Sequence, residues 1–400
     1  MTALILREWR SLTEPARLAF VQAHLNQYGP PFVRHLQHDR RFEASLLYTV
    51  SPEPRLDPEL GALPGWGREV VDDVAFEMLA DARSLVNKLK SCRGFDLVFV
   101  DGWKNRTAWI SLYVAHRFGV PVAIRTDSTA IYRPPSGLRW RVRGWVLRRL
   151  LASARVVAYV SELARDHMLL LGFDDHRLLR LPYTTDVARF RTASAEAMAT
   201  RSERRRALGF AADDKVVVAV AKFNEREGLP TLLEGFARAR EMDPALRLLL
   251  VGSGPLARVV AEHPVSPSIT TVGYRPYDEL PALYSVADCF AHAAPVEPWG
   301  VSIVESLACG LPQVVSDGIG AARELVRDGE NGFVFPAHDS SALATALVRW
   351  SGLTADAKQV MSRAAQASTE AFEYEFLADS LLEWVAHSRD AGPRRPRFGR

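Results

Sequence analysis

The sequence predicts an α/β protein of two domains, each a parallel sheet covered by helices on both faces. Three observations point there. The chain has 400 residues, and at about 150 residues per domain that length suits two domains, each with its own core. Short apolar runs recur along it, each followed by a longer segment of helical period, as expected for strands buried on both faces and alternating with helices. Between two series of such runs lies a polar stretch, RTASAEAMATRSERRRALGF, which carries no strand signal.

In chain order the first series is RLAFVQ (17–22), ASLLYTV (44–50), DLVFV (96–100), PVAIR (121–125) and VVAYV (156–160). The second is VVVAVAK (216–222), RLLLVG (247–252), SITTV (268–272), DCFAH (288–292) and QVVS (313–316). The expected organisation is a Rossmann-like domain over 1–190, a linker over 191–214 and a second Rossmann-like domain over 215–370. A helix over 371–390 then crosses back to the first domain, and a basic disordered tail, AGPRRPRFGR, fills 391–400. The two domains face a cleft. Ligands in such sheets bind outside the carboxyl ends of strands, so functional residues should lie just after strand runs.

Composition narrows the class. With 48% hydrophobic and 24% charged residues the make-up is that of a globular domain protein, and a net charge of +3 is too small to imply nucleic acid. Cys92, Cys289 and Cys309 show no C-x-x-C spacing, so free buried thiols in a reducing, cytoplasmic compartment are the expectation. The opening MTALILREWRSL is too short and too charged for a signal peptide. No run reaches the about 20 apolar residues that cross a bilayer.

The most informative stretch is APVEPWGVSIVESLACGLP (294–312), directly after a strand run. Pro298 and Gly300 place a helix start near Gly300–Ser302. Its unpaired N–H groups and dipole suit a phosphate. Glu305 lies about one turn inside the helix and Glu297 just outside it. Two acids bracketing an anion site can accept hydroxyl protons on either side, which suits a sugar, a phosphate and a second sugar in line. A second reading stands beside it: Ser302-Ile-Val-Glu305 fits the S-x-x-E capping box, in which Glu305 merely closes the helix.

GSGPLA (252–257) matches the loose G-x-G-x-x-A dinucleotide fingerprint. The acid required about 20 residues further on is missing, which argues against NAD and for a tight strand-to-helix turn. In AKFNEREGLPTLLEGF (221–236), Lys222 and Arg226 directly follow a strand. Two cations there can neutralise a diphosphate without a metal, unless the loop is simply solvated. No D-x-D pair occurs in the chain, so neither a carboxylate-held metal nor another cofactor is expected.

Taken in order, these features from Val216 to about Asp339 resemble the donor-binding domain of family-4 glycosyltransferases of bacterial type, which are retaining enzymes of the GT-B fold. The carriers are Lys222, Gly252-Ser-Gly254-Pro255, the Glu297-x7-Glu305 segment and Gly320-Ala-Ala-Arg-Glu324. The resemblance implies that Glu297 holds the donor sugar, Glu305 the nucleotide ribose, and the amides of Gly300, Val301 and Ser302 the distal phosphate. Lys222 would offset charge on the leaving diphosphate. Gly254, Pro298 and Trp299 would line the donor, and backbone near Gly273, Tyr274 and Arg275 would meet the base. One departure is clear: where many members have Lys before the glycine, this chain has Glu227 before Gly228. Arg226 is the candidate substitute.

The first half resembles a bacterial subgroup through QYGPPFVRHL, FVDGW, RTDSTAIYRPP and LPYTTDVARF. His24, Asn26, Gln27, Asp101, Arg125 and Asp127 all follow strand runs, where an acceptor would bind. The segment LRWRVRGWVLRRLLASAR (138–155) reads as an amphipathic surface helix, or as a peripheral contact with an anionic membrane. The expected activity is retaining transfer of a hexosyl group from a nucleotide sugar to an acceptor hydroxyl, without metal. The acceptor is a saccharide, a lipid-linked saccharide or a small molecule, in polysaccharide, glycolipid or natural-product glycoside synthesis. A sugar-nucleotide epimerase and a non-catalytic nucleotide-sugar-binding protein are the alternatives.

Overall fold

The computed structural model describes residues 14–23, 28–50, 73–130 and 137–390. The first sheet is formed by β1 (Ala16–Gln22), β2 (Phe42–Tyr48), β3 (Phe76–Met78), β4 (Leu97–Asp101), β5 (Val122–Thr126), β6 (Val156–Tyr159) and β7 (Leu178–Arg180), in the order β3-β2-β1-β4-β5-β6-β7. The second holds β8 (Lys215–Val220), β9 (Leu246–Val251), β10 (Ile269–Thr271), β11 (Cys289–His292), β12 (Gln313–Ser316) and β13 (Gly332–Phe335), in the order β10-β9-β8-β11-β12-β13. All pairings are parallel. The chain has two parallel-sheet α/β domains.

The apolar runs lack alternation because both faces of each sheet are covered. Leu18, Phe20, Leu97 and Phe99 bury one face of the first sheet with Phe32, Leu36 and Leu381. Ala19, Val21, Val98 and Val100 bury the other with Leu85, Leu89 and Leu112. In the second sheet Val217, Ala219, Leu248 and Leu250 pack on Leu233, Phe236 and Leu347. The strands β3, β7 and β13, which the apolar runs do not mark, all lie at sheet edges. The three residues of β3 are all exposed, and a half-covered edge needs no continuous apolar run.

The connection between the sheets is helical. Helices Val187–Ala197 and Arg201–Ala207 fill the stretch read as a linker. Phe190 and Val187 share a core with Tyr284 and Phe290, and Arg201 and Arg205 both pair with Asp288 ahead of β11. The polar surface of this segment hides an apolar side and two arginines directed inward. The helix Tyr374–Asp390 returns to the first domain, where Leu377, Leu381 and Val385 join its core. Arg389 pairs with Asp96 at 2.6 Å and Arg41 with Asp379 at 2.6 Å. Among the described residues no helix is long and apolar enough to cross a membrane. Cys92 and Cys289 are buried, whereas Cys309 is only half-buried.

One core spans both domains, combining Tyr159, Val160 and Ala164 with Trp299, Ile319 and Ala322. Glu324 seals the same contact. It accepts hydrogen bonds from the Glu162 backbone N–H at 2.7 Å and from Arg180 at 2.7 Å. The carboxyl ends of both sheets therefore approach one another across a common seam.

Candidate active site

The chain leaving β11 is fixed by a short backbone ladder. Glu297 N–H donates to Gly318 O, Gly320 N–H to Glu297 O and Ala321 N–H to Trp299 O. This ties the segment to residues that follow β12. Gly300 then takes φ +94°, a conformation open to glycine, and turns the chain into helix Val301–Ala308. The first N–H groups of such a helix lack partners within it.

Glu305 is 2% exposed. Its Oε2 accepts the Tyr284 hydroxyl at 2.9 Å, while its Oε1 is buried with no hydrogen-bond partner among the described residues. Burial pushes its carboxyl up to about 7, against the opposing effect of the Tyr284 hydrogen bond. The capping-box reading is thereby corrected. The cap position is Gly300, and Ser302 is the second residue of the helix, with its Oγ 3.4 Å from His292 Nδ1. Glu297 is half-buried and accepts the Trp299 N–H through Oε1 at 3.3 Å. Burial, and next the charge of Glu227, raise its pKa above the ordinary range.

The loop after β8 closes over the same helix start. Phe223 N–H donates to Ser253 O, Leu256 N–H to Phe223 O and Gly252 N–H to Gly273 O. These bonds gather the Lys222 loop, the Gly252–Gly254 turn and Gly273. At Gly228 a Cβ would lie 2.0 Å from Ala293 O, so only glycine allows the loop to lie on the exit of β11. That contact sets Glu227 beside His292, with Oε2 3.4 Å from Nε2, and Arg226 lies 3.2 Å from Glu227 Oε1. Burial alone would raise the Glu227 carboxyl, but His292, Arg226 and Lys222 hold it below its usual value.

One expectation for a side chain needs correction. Trp299 does not line the helix start: its indole is 1% exposed and stacks on Phe372 at 5.4 Å. The apolar ring is worth more in the domain seam than at a polar mouth. Arg275 is exposed and turns back on its own loop, donating to Val272 O at 3.0 Å. Tyr274 is half-buried nearby.

In the first domain, His24, Asn26 and Gln27 lie outside the described residues. Arg125 and Asp101 form a two-pronged pair at 2.6 and 2.9 Å, and the Arg125 guanidinium sits 4.8 Å above the Tyr183 ring. The pair satisfies itself, so these two strand-end charges form a rigid floor. Asp127 is exposed. Tyr28 packs on Tyr183 with ring centroids 4.5 Å apart. Burial raises the Tyr28 hydroxyl pKa, and Asp101, Asp127 and Glu297 act on it in the same direction. Tyr28 thus stands where the first-domain strand ends meet Glu297.

Four residues at the site went unread in the sequence: Tyr28, Tyr183, Tyr284 and His292. Only His292 left a signal, as the polar last residue of an apolar strand. The tyrosines meet their partners through tertiary packing.

Comparisons with known proteins agree with this architecture. Residues 200–367 match the family model "Glycosyl transferases group 1", and residues 47–184 match "Glycosyl transferase 4-like domain". A D-inositol 3-phosphate glycosyltransferase of Nocardia farcinica is 27% identical over 310 residues, covering 73% of this chain and 66% of that protein. A GDP-mannose-dependent alpha-(1-6)-phosphatidylinositol monomannoside mannosyltransferase of Mycolicibacterium smegmatis is 32% identical over 212 residues, covering 50% of this chain and 54% of that protein. The chain thus spans between about half and two thirds of the length of these relatives. Among solved structures, Anabaena HepE in complex with UDP and glucose superposes with a TM-score of 0.71 at 17% identity, over 93% of this chain and 100% of that one. Sucrose-phosphate synthase from Thermosynechococcus elongatus superposes with a TM-score of 0.70 at 19% identity, over 94% and 100%.

Proposed function

We propose that the chain, which carries a group 1 glycosyl transferase domain and a glycosyl transferase 4-like domain, moves a sugar from a nucleoside diphosphate donor to an acceptor hydroxyl with retention of configuration. One observation carries the reading: Glu305 is a buried carboxylate whose Oε1 lacks a hydrogen-bond partner, one turn inside a helix whose start can hold a phosphate. An unsatisfied buried acceptor is costly, and a ribose hydroxyl relieves that cost. Glu305 then takes the ribose, the Gly300–Ser302 backbone the distal phosphate, and Glu297 the hydroxyls of the donor sugar. Gly254 and the backbone at Gly273–Arg275 line the nucleotide.

Lys222 and Arg226 stabilise charge as it develops on the leaving diphosphate, the largest contribution in chemistry of this kind. The acceptor attacks from the face that the diphosphate leaves, so the enzyme supplies no nucleophile. No D-x-D pair is available to hold a metal, and two cations suffice for this step. The acceptor enters beside Tyr28, Asp127 and the Asp101–Arg125 floor. A polyol or glycolipid acceptor agrees with the names of the two relatives, an inositol phosphate and a phosphatidylinositol mannoside glycosyltransferase.

Helix Gly137–Leu150 suits a peripheral membrane contact. It carries five arginines and no acid, and only Gly144 and Leu147 are buried. Leu138 and Trp145 are 75% and 55% exposed. Apolar and cationic side chains together match an anionic lipid surface.

A thermal-shift panel of UDP-, GDP-, ADP- and TDP-sugars tests the core reading. One base series should raise Tm, and Glu305→Gln should abolish that rise. If no nucleotide shifts the wild type, the reading fails.

A further inference from the structure

We infer that Glu227 and His292 form a buried acid–base pair that positions the Ser302 hydroxyl on the distal phosphate of the donor. This rests on the reading of the helix start as a phosphate site. His292 is 5% exposed, at the last position of β11. Its ring lies between two groups from separate segments: Nε2 is 3.4 Å from Glu227 Oε2, close enough for an ion pair but without an aligned hydrogen bond, and Nδ1 is 3.4 Å from Ser302 Oγ. Glu227 reaches this ring because Gly228, where a Cβ would lie 2.0 Å from Ala293 O, lets the loop lie directly on the exit of β11.

A carboxylate at one ring nitrogen fixes the tautomer and aims the ring. With the ring proton on the Glu227 side, Nδ1 is the nitrogen that can accept the Ser302 O–H. A phosphate at the helix start competes with Nδ1 for the Ser302 O–H. The Ser302 hydroxyl, held within reach of both, turns its O–H to the phosphate oxygen. An acid in a cation-lined loop thus acts through its neighbour instead of repelling the diphosphate.

Calorimetry with nucleoside mono- and diphosphates (UMP and UDP, GMP and GDP) isolates the distal phosphate. In the wild type the diphosphate should bind more tightly than the monophosphate. Glu227→Gln, His292→Gln and Ser302→Ala should each reduce that preference about tenfold, the value of one charge-assisted hydrogen bond, with monophosphate affinity unchanged. The double variant His292→Gln/Ser302→Ala should lose no more than either single one, and Ser302→Thr should retain the preference. Ser302 is half-buried at the helix start, so its variant keeps the test open if a buried His292 variant does not fold. Preferences equal to wild type in the folded variants would reduce the pair to a structural contact. Failure of every nucleotide to bind the wild type would instead overturn the parent reading, and this inference with it.

Discussion

The strand ends of the two sheets hold their charges in opposite ways. At the first sheet, Asp101 and Arg125 complete each other's hydrogen bonds and lie against Tyr183. At the second, Glu305 keeps one oxygen unpaired, and burial raises the pKa of both Glu305 and Glu297. A satisfied buried pair is a structural device, whereas an unsatisfied buried acid is tolerated where a ligand completes it. The first half builds a floor, and the second leaves its polar groups waiting for donor hydroxyls.

Breaking the floor should have the largest effect. Asp101→Ala leaves Arg125 buried without its carboxylate, and urea unfolding should show a loss of about 4 kcal/mol. An unchanged midpoint would remove the distinction between the two sheets. Next is Glu305→Gln, which should stabilise the protein. A folded-state pKa of about 7, above the ordinary carboxylate value of 4.5, means the native state keeps a proton that the unfolded chain has lost. Wild-type stability therefore falls as pH rises from about 4.5 to 7 and stays low above that. Glu305→Gln should match wild type near pH 4.5 and exceed it by up to about 3 kcal/mol at pH 8, while nucleotide affinity drops. A variant less stable than wild type at pH 8 would show that Oε1 carries no burial penalty.

Lys222→Ala should lower kcat roughly 100-fold with little change in donor KM, because its charge acts on the leaving group in the transition state. Equal losses in both constants would make it a simple binding residue. The smallest effect is expected at the exposed helix. Replacing Arg139 and Arg141 by Gln should weaken partition onto phosphatidylserine vesicles by about 2 kcal/mol, roughly thirtyfold, and added salt should mimic the change. Partition indifferent to both would leave that helix a solvated surface.

Much of the second domain was legible because its site is local. Glu297, Gly300, Ser302 and Glu305 fall within nine consecutive positions (297–305), and strand exit, glycine turn and helix start each leave a local mark. The capping box was legible too and misled, since Gly300 takes the cap and Ser302 turns to His292. Trp299 misled for a related reason: its neighbours in sequence are polar, but its neighbour in space is Phe372. Edge strand β3 was missed because its three residues are all exposed and leave no apolar run.

By itself the sequence determined the two parallel sheets, the places where their strands end and the helix start flanked by acids. Those follow from burial on both faces and from backbone chemistry within a few residues. Only the tertiary structure decided which charges stay open. Asp101 closes on Arg125 24 residues away, Tyr284 reaches Glu305 across 21, and the packing of Gly228 on Ala293 delivers Glu227 to His292. Hydrogen-bond satisfaction depends on what lies within about 3 Å in space, and no local pattern records it.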